Sequence, residues 1–316
     1  MASSKIPNTG FSIFSEMTKM ANKYNAINMS QGFPDFDCSD NLKNMVFKAM
    51  SAGNNQYAPL EGVYKLREMI SEKINSLYSY NYDPDAEITI TSGATQAIFT
   101  AITAFVKEND EVIIIEPAFD TYEPSIKLNG GKPVYVKLSY PDYSINWEEI
   151  QRSLNSRTRM IIINTPHNPT GAIFTEEDMI KLQKITSGSK IIILSDEVYE
   201  HILFDGNSHQ SVAKFPELAD RSLLISSFGK TYTTTGWKTG YCCAPAELTQ
   251  EFRKVHQLVV YAANTPIQMA YAEILQYPEE YLKMNDFYQK KRDLFINLLD
   301  GSNFDIKLSE GLELDA

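Results

Sequence analysis

The sequence predicts an α/β fold in which helices lie on both faces of a mostly parallel, seven-stranded sheet. Short β-branched runs alternate with longer helical patterns through the middle of the 316-residue chain. Several of these runs are continuously apolar, such as residues 112–115, and this pattern is typical of strands buried on both faces. Strands that alternate with helices favour parallel pairing through right-handed crossovers. The seven candidate strands are residues 87–91, 111–115, 132–138, 159–163, 190–194, 222–226 and 239–243.

Helical periodicity fills the gaps between these strands. Apolar residues recur with helical spacing after the Ser92-Gly93 pair, from Ala97 to Phe105. Residues 175–185 open with Thr-Glu-Glu, a pattern typical of a capped helix start. The first 40 residues differ, because they are rich in Asn, Ser and Gly. Further helices are predicted at residues 11–24, 247–256 and 279–299, and a strand is predicted at residues 304–308.

Charge and composition exclude several classes of protein. The chain has 29 Lys and Arg against 40 Asp and Glu, a formal charge of -11, which argues against nucleic acid or an anionic membrane as the main partner. No apolar run approaches the roughly 18 residues of a membrane helix, and residues 1–10 lack the apolar core of a signal peptide. The three cysteines have no Cys-x-x-Cys spacing, and no residue set has metal-ligand spacing. We therefore expect a cytoplasmic protein without a bound metal.

Sheets of this kind bind ligands at the carboxyl ends of their strands, so the segments that follow the strands are the most informative. Residues 92–95 join a strand to a helix, where free N–H groups and the helix dipole favour a phosphate. An ordinary N-cap at Ser92 is an equal alternative. The turn at residues 164–171 is stiffened by two prolines, and it either serves a ligand or has only a structural role.

Two ionisable residues directly follow buried strands. Asp196 ends an apolar run, where a carboxylate is costly to bury without a cationic or hydrogen-bonded partner; capping of a following helix is the alternative. Lys230 follows the strand at residues 222–226, among Ser, Gly and Phe. Most lysines are solvated surface charges, but this position favours a functional role. His167 and His201 are assigned no catalytic role, the first shaping a turn and the second lying on a helix at the surface or in the core.

Four motifs together resemble one family of enzymes. They are Asn-Pro-x-Gly at 168–171, Asp-x-x-Tyr at 196–199, Ser-x-x-Lys at 227–230 and Gly-Trp-Lys-x-Gly at 236–240. In this order and spacing they resemble the class I/II aminotransferases of fold type I. The resemblance runs from residue 28 to residue 293, which is nearly the whole chain. The segments most similar to the methionine, glutamine and kynurenine aminotransferase branch are residues 31–36, 55–57, 116–122 and 164–168.

The resemblance implies a cofactor, pyridoxal 5′-phosphate, that forms a Schiff base with Lys230. The released amine then moves a proton between the substrate α-carbon and C4′ of the cofactor. Asp196 pairs with the pyridine nitrogen and keeps it protonated, while Tyr199 and Asn168 share the ring oxygen. The other implied cofactor contacts are Val198 and Phe119 at the two ring faces, and Gly93, Ala94, Thr95, Ser227 and Lys238 at the phosphate.

The same resemblance implies contacts to the substrate and to a second subunit. Lys238 stands where arginine is most common in the family, so a point charge replaces a bidentate fork at the phosphate. Tyr57 reaches the cofactor phosphate of the neighbouring subunit, which implies a homodimer with shared active sites. Gly32 and Asn168 bind the substrate carboxylate, and Phe33 lies beside the substrate.

The resemblance also divides the chain into regions. We expect an N-terminal arm and part of a small domain at residues 1–40, a large cofactor-binding domain at 41–275, and the start of a small α+β domain at 276–316. In the family, an arginine of the small domain binds the substrate carboxylate in bidentate fashion. The sequence ends before a segment that matches it, and Arg292 does not match it. We therefore expect the small domain to be incomplete.

The implied function is transamination between an amino acid and a 2-oxo acid. Phe33, Tyr57, Phe119 and Tyr122 near the site favour a large apolar, aromatic or sulfur-containing amino acid. Two alternatives stay open: a cysteine-S-conjugate β-lyase, which begins with the same abstraction of the α-proton, and a cofactor-binding fragment without activity. A nucleotide-dependent oxidoreductase is disfavoured, because no Gly-x-Gly-x-x-Gly follows a predicted first strand.

Overall fold

A seven-stranded sheet forms the centre of the molecule, as the sequence predicts. The computed structural model describes residues 4–7, 10, 12–30, 32, 34, 36–303, 306 and 308–311. The seven strands predicted for the sheet are all present, with small differences at the ends. The strands are β1 (Ile88–Thr91), β2 (Glu111–Glu116), β3 (Lys132–Lys137), β4 (Thr158–Asn164), β5 (Ile192–Asp196), β6 (Ser222–Ser227) and β7 (Gly240–Cys243).

The pairing of the strands is mostly parallel. Their spatial order is β1-β7-β6-β5-β4-β2-β3. The four pairs that join β3, β2, β4, β5 and β6 are all parallel, whereas β7 is antiparallel to both β1 and β6. Because β7 runs the opposite way, its first residue Gly240 pairs with Ser227 at the end of β6 and with Thr91 at the end of β1. The end of β1, the start of β7 and the end of β6 therefore meet at one edge.

Helices cover both faces of the sheet, which confirms the predicted layering. On one face α4 buries its apolar stripe from Ala97 to Phe105 in a cluster with Ile114 and Ile162. On the other face α3 packs Ile70 in a second cluster. The helices are α1 (Ile13–Tyr24), α2 (Asp40–Ser51), α3 (Tyr64–Tyr78), α4 (Gly93–Phe105), α5 (Tyr122–Leu128), α6 (Trp147–Ser153), α7 (Glu176–Thr186), α8 (Pro216–Ala219), α9 (Phe228–Thr231), α10 (Ala246–Val259), α11 (Thr265–Ile274), α12 (Glu279–Leu282) and α13 (Met284–Leu299).

Local signals fixed the start of one helix. Thr175 and Asp178 form a capping box at α7: the Thr175 Oγ1 accepts from the Asp178 N–H at 3.2 Å, and the Asp178 Oδ2 accepts from the Thr175 N–H at 3.0 Å. The predicted Thr-Glu-Glu start is thereby confirmed. The helix predicted at residues 279–299 is present as two helices, α12 and α13.

The two flanks of the chain pack differently from the sheet. Helix α1 has no buried residue among those described. Arg292 on α13 is buried and binds Asp205 in bidentate fashion, with Nη–Oδ distances of 2.6 and 2.7 Å. The strand predicted at 304–308 falls mainly outside the described residues, and the division into domains stays a prediction. Within the described ranges, no helix is both long and apolar enough to cross a bilayer.

Candidate active site

A cavity of about 680 Å³ opens at the carboxyl edge of the sheet. Twelve of the fourteen residues that the sequence analysis assigned to the cofactor or substrate line this one cavity. Of the other two, Tyr57 does not line it, and Phe33 lies outside the described residues. The twelve are Gly32, Gly93, Ala94, Thr95, Phe119, Asn168, Asp196, Val198, Tyr199, Ser227, Lys230 and Lys238.

Lys230 reaches into the cavity from the short helix α9, which directly follows β6. Its Nζ donates a 2.8 Å hydrogen bond to the carbonyl oxygen of Gly32 and lies 5.3 Å from the centre of the Tyr199 ring. The start of α9 is packed against α11, because the ring of Phe228 stacks on that of Tyr271 with centroids 4.2 Å apart. The amine is thus presented from a short, packed helix at the end of a buried strand.

Asp196 occupies the last position of β5 and is only 3% exposed. Its Oδ2 accepts a 2.6 Å hydrogen bond from the Tyr122 hydroxyl, and its Oδ1 lies 3.4 Å from the Val198 N–H. Burial raises the pKa of this carboxyl to about 6, although the Tyr122 hydrogen bond opposes the shift. The alternative of a helix-capping aspartate is wrong, since residues 198–201 form a turn and no helix follows β5 directly.

Two asparagines tie the turn at 164–171 to this strand end. The Asn164 Nδ2 donates to the Asp196 carbonyl at 2.9 Å, and its Oδ1 accepts from the Asn168 N–H at 2.8 Å. The Asn168 Nδ2 then lies 3.4 Å from the Tyr199 hydroxyl. Two polar groups from different segments therefore converge on one side of the cavity.

The turn after β1 provides a compact group of donors. Gly93 has φ +77°, in the left-handed region, and a Cβ there would lie 3.6 Å from the Nζ of Lys238. At Gly240 a Cβ would lie 2.7 Å from the Ser226 carbonyl oxygen, so only glycine permits this close approach. Ser92 does not act as an N-cap through its side chain; its N–H instead donates to the Gln96 Oε1 at 2.9 Å.

These groups suit an anion. The turn places the first N–H groups of the 13-residue helix α4 at the cavity wall, where the helix dipole is positive. The ammonium of Lys238 stands beside them.

Some cavity residues were not found from the sequence. Ser12, Phe14 and Ser15 from the N-terminal segment line the cavity, and the Ser12 hydroxyl donates to the Asp120 Oδ2 at 2.8 Å. Helical periodicity was the only signal in that segment, and periodicity does not indicate what a helix covers. Tyr122, which was expected near the site, does lie next to Asp196, but its side chain is buried and is not part of the cavity wall.

The two histidines near the motifs are buried and lie outside the cavity wall. The His167 Nδ1 lies 2.8 Å from the Thr170 Oγ1, and burial lowers its pKa to about 4. His201 lies in a turn and not on the predicted helix. Burial, assisted by the charge of Lys73, lowers its pKa to about 3. Both side chains are therefore neutral near pH 7.

The fold and the cavity belong to a known family of enzymes. Residues 24–311 match the model for the aminotransferases of class I and II, and the chain belongs to this family. The chain is 46% identical over 309 residues to a methionine aminotransferase of Escherichia coli (strain K12), covering 98% of this chain and 80% of that protein. It is 34% identical over 323 residues to a kynurenine–oxoglutarate transaminase of Dictyostelium discoideum, covering 96% and 74%.

Solved structures agree with these relatives. A methionine aminotransferase from Escherichia coli superposes with a TM-score of 0.96 at 45% identity, covering 99% of this chain and 82% of that one. An N-succinyldiaminopimelate aminotransferase from Mycobacterium tuberculosis gives 0.95 at 33% identity, with the same two coverages of 99% and 82%. The protein is therefore a fold-type-I aminotransferase that uses pyridoxal 5′-phosphate to transfer amino groups between amino acids and 2-oxo acids, as the resemblance implied. The β-lyase and inactive-fragment alternatives are not favoured.

Proposed function

We propose that the enzyme transfers the amino group of a large apolar, aromatic or sulfur-containing amino acid to a 2-oxo acid in the cavity described above. One observation carries this proposal: the Lys230 amine, the buried Asp196 carboxyl and the Gly93–Lys238 donor group face the same cavity. The substrate class is supported by Phe14, which joins Phe119 in the cavity wall, and by the names of relatives that act on methionine and kynurenine.

Lys230 is assigned as the residue that carries the cofactor and moves the proton. When bound, pyridoxal 5′-phosphate supplies an electron sink for the pair of electrons left at the substrate α-carbon. The Nζ of Lys230 would hold the cofactor, and this amine would serve as the base that takes and returns the proton of the substrate α-carbon. The hydrogen bond to the Gly32 carbonyl shows that this amine reaches the segment that is proposed to bind the substrate.

Asp196 is assigned to hold a proton on the pyridine nitrogen. Its partners in the described chain, the Tyr122 hydroxyl and the Val198 N–H, are neutral, and burial raises its pKa to about 6. A cation placed in the cavity would favour the carboxylate form and offset the cost of burial. The site therefore fits a ring whose nitrogen is protonated.

The remaining contacts follow the shape of the cavity. The Tyr199 hydroxyl and the Asn168 Nδ2, which lie 3.4 Å apart, are assigned to the ring oxygen. Val198 and Phe119 are assigned to the two ring faces. The phosphate is assigned to the N–H groups of Gly93 and Ala94 with the side chains of Thr95, Ser227 and Lys238, and the substrate carboxylate is assigned to Gly32 and Asn168, with Phe33 beside the substrate.

We further infer a cytoplasmic homodimer with shared sites. Tyr57 is 84% exposed and lies outside its own cavity, and its ring makes an edge contact with Tyr261, with centroids 5.6 Å apart. Leu258, three residues before Tyr261, is 82% exposed. Such an apolar surface suits a second copy of the chain, to whose phosphate site Tyr57 is assigned. All three cysteines are free, which suits a reducing compartment. The division at residues 41–275 is kept as the proposed large domain.

Turnover and a spectrum test the proposal together. Purified protein is supplied with pyridoxal 5′-phosphate and assayed with methionine, phenylalanine or kynurenine and a 2-oxo acid. We expect a 2-oxo product from at least one of these amino acids, and an absorption band of the lysine-bound cofactor that is missing in Lys230→Ala. Absence of product from all three, or a band that persists in Lys230→Ala, would overturn the assignment.

A further inference from the structure

A second polar cluster lies on the reverse side of the segment that carries Asp196 and Tyr199. Glu197 directly follows Asp196, and Glu200 directly follows Tyr199. Both glutamates are buried, and neither lines the cavity. The partners of Glu200 include Tyr78 of α3, which belongs to the apolar cluster on one face of the sheet. Tyr122, the partner of Asp196, belongs to the cluster on the other face. Neighbouring acids on one short segment thus point to opposite sides of the sheet.

Glu200 accepts hydrogen bonds from four side chains. Its Oε1 lies 2.6 Å from the Lys73 Nζ, 2.8 Å from the Ser226 Oγ and 3.1 Å from the Tyr241 hydroxyl. Its Oε2 accepts from the Tyr78 hydroxyl at 2.7 Å. With so many donors around one carboxylate, the lone pairs of the buried charge are satisfied.

Two of these four donors, Ser226 and Tyr241, come from β6 and β7, the strands that carry groups assigned to the cofactor. Glu200 directly follows Tyr199, and Ser226 directly precedes Ser227. Tyr241 belongs to β7, whose first residue Gly240 packs against the turn of Gly93 and Ala94. A single carboxylate therefore connects β6, β7 and the turn after β5 on the reverse of the sheet. Displacement of any one of these segments would move one of the groups assigned to the cofactor relative to the others.

The charge of this cluster is balanced. The side chains of Lys73 and Glu200 are only 6% and 3% exposed. Burial acts to raise the pKa of Glu200, but the lowering effects, of which the charge of Lys73 is the largest, together outweigh it, so the pKa lies below its ordinary value. The other titratable groups nearby are His201, whose Nε2 lies 3.8 Å from the Glu200 Oε2 and which is neutral, and the pair of Glu197 and His209, which lies 2.8 Å apart.

We propose that Glu200, with Lys73 as its counter-charge, is a positioning residue that sets the distances between the cofactor groups on the turn after β5, on β6 and on β7. It touches neither cofactor nor substrate and acts through Tyr199, Ser227 and the start of β7. This inference rests on the proposed function, since it assumes that those segments hold pyridoxal 5′-phosphate. A role in stability alone is the competing explanation.

Two double variants separate these explanations, because neither leaves an unpaired buried charge. Lys73→Met with Glu200→Met keeps the volume but removes every hydrogen bond to residue 200. Lys73→Met with Glu200→Gln also removes both charges, but it keeps an acceptor for Ser226 and Tyr241. Glu111→Gln is the matched control, because Glu111 is a carboxylate in the same sheet that accepts from Asn155 and Arg157 at the amino end of β2.

Cofactor affinity and spectrum are measured well below the melting temperature of each apoprotein. We expect the Met/Met variant to bind pyridoxal 5′-phosphate about tenfold more weakly, and the pH midpoint of its lysine-bound absorption band to shift. The Met/Gln variant should recover most of the wild-type affinity, and the control should keep all of it.

A Met/Met variant that melts earlier but binds with wild-type affinity and an unchanged midpoint would overturn the inference. If Met/Met does not fold, Tyr241→Phe decides, because it removes one donor to Glu200 without a change of charge: weaker cofactor binding with a shifted midpoint supports positioning, whereas wild-type affinity and midpoint refute it. A wild type without any Lys230-dependent band would instead overturn the proposed function.

Discussion

The hydroxyl of Tyr122 donates a 2.6 Å hydrogen bond to the Oδ2 of Asp196, and both residues are 3% exposed. This pair determines how readily Asp196 ionises at the cavity wall. Burial raises the pKa of Asp196 to about 6, and the hydrogen bond from Tyr122 opposes this shift. An acid that is costly to ionise in the empty protein is suited to a cationic ring.

The apoprotein should lose stability as pH rises through the titration of Asp196. The folded pKa of about 6 lies above the ordinary value of 3.8, so the stabilising contribution is present below pH 4 and is lost as pH rises to about 6. The loss is on the order of 3 kcal/mol. Urea unfolding of wild-type and Asp196→Asn apoproteins from pH 4 to pH 7 isolates this effect as the difference between them. A difference that stays flat with pH would contradict the pKa assignment.

Removal of the Tyr122 hydroxyl should shift the acid limb of the activity profile to higher pH. Without this donor the Asp196 carboxylate is less stabilised, by about 1.5–3 kcal/mol for a bond to a charged group. We expect Tyr122→Phe to lose kcat/KM mainly below neutral pH, as followed by a pH profile. Tyr80→Phe is the control, because the Tyr80 hydroxyl donates to Asp220 at 3.3 Å on an exposed part of the surface. An unshifted profile in Tyr122→Phe would contradict the coupling.

Short-range patterns in the sequence were sufficient for some features and not for others. Asp196 and Lys230 were singled out because each directly follows a buried apolar run, and such runs are visible within a few residues. The partner of Asp196 is 74 residues away, and Lys73 is 127 residues from Glu200. These pairs depend on the strand order β1-β7-β6-β5-β4-β2-β3, which hydrophobic periodicity does not encode.

The role of the turn at Ser92 could not be chosen from the sequence alone. A serine before a helix is consistent with both an N-cap and a phosphate site, and the two alternatives predict the same local sequence. The Lys238 amine beside Gly93 favours the phosphate site, and this proximity comes from the antiparallel entry of β7 between β1 and β6.

Alanine at Gly93 should disturb the cofactor site more than its backbone strain alone would suggest. Gly93 has φ +77°, and a Cβ would lie 3.4 Å from the Lys238 Cε. The left-handed backbone costs roughly 1–2 kcal/mol for a non-glycine residue. Gly188→Ala is a matched control, since Gly188 has φ +70° with nothing within 4 Å of its Cβ position. We expect similar falls in the melting temperature of both apoproteins but a loss of cofactor affinity only in Gly93→Ala. Equal affinities would show that the contact with Lys238 is unimportant.

Loss of the Lys238 ammonium should weaken cofactor binding directly. A charge-assisted hydrogen bond contributes about 1.5–3 kcal/mol, so Lys238→Met should raise the cofactor Kd by on the order of 10- to 100-fold. Lys238→Arg retains the charge and should stay closer to wild type. Lys190→Met, an exposed substitution just before β5 at the opposite edge of the sheet, should leave the Kd unchanged. The Kd is measured by fluorescence titration of the apoprotein, and a wild-type value in Lys238→Met would refute the phosphate assignment.

Shared active sites predict that two inactive chains complement each other. Tyr57 is 84% exposed and lies outside the cavity of its own chain, whereas Lys230 lies inside it. In a mixed dimer of Lys230→Ala and Tyr57→Ala chains, one site combines the intact Lys230 of one chain with the intact Tyr57 of the other. We expect the mixture, after unfolding and refolding together, to exceed the sum of the two separately refolded activities. Size-exclusion chromatography establishes that dimers have formed. Leu258→Glu probes the interface, because this variant should reduce both dimer content and complementation. If the mixture only equals the sum while dimers are present, each chain completes its own site and Tyr57 has no role across the interface.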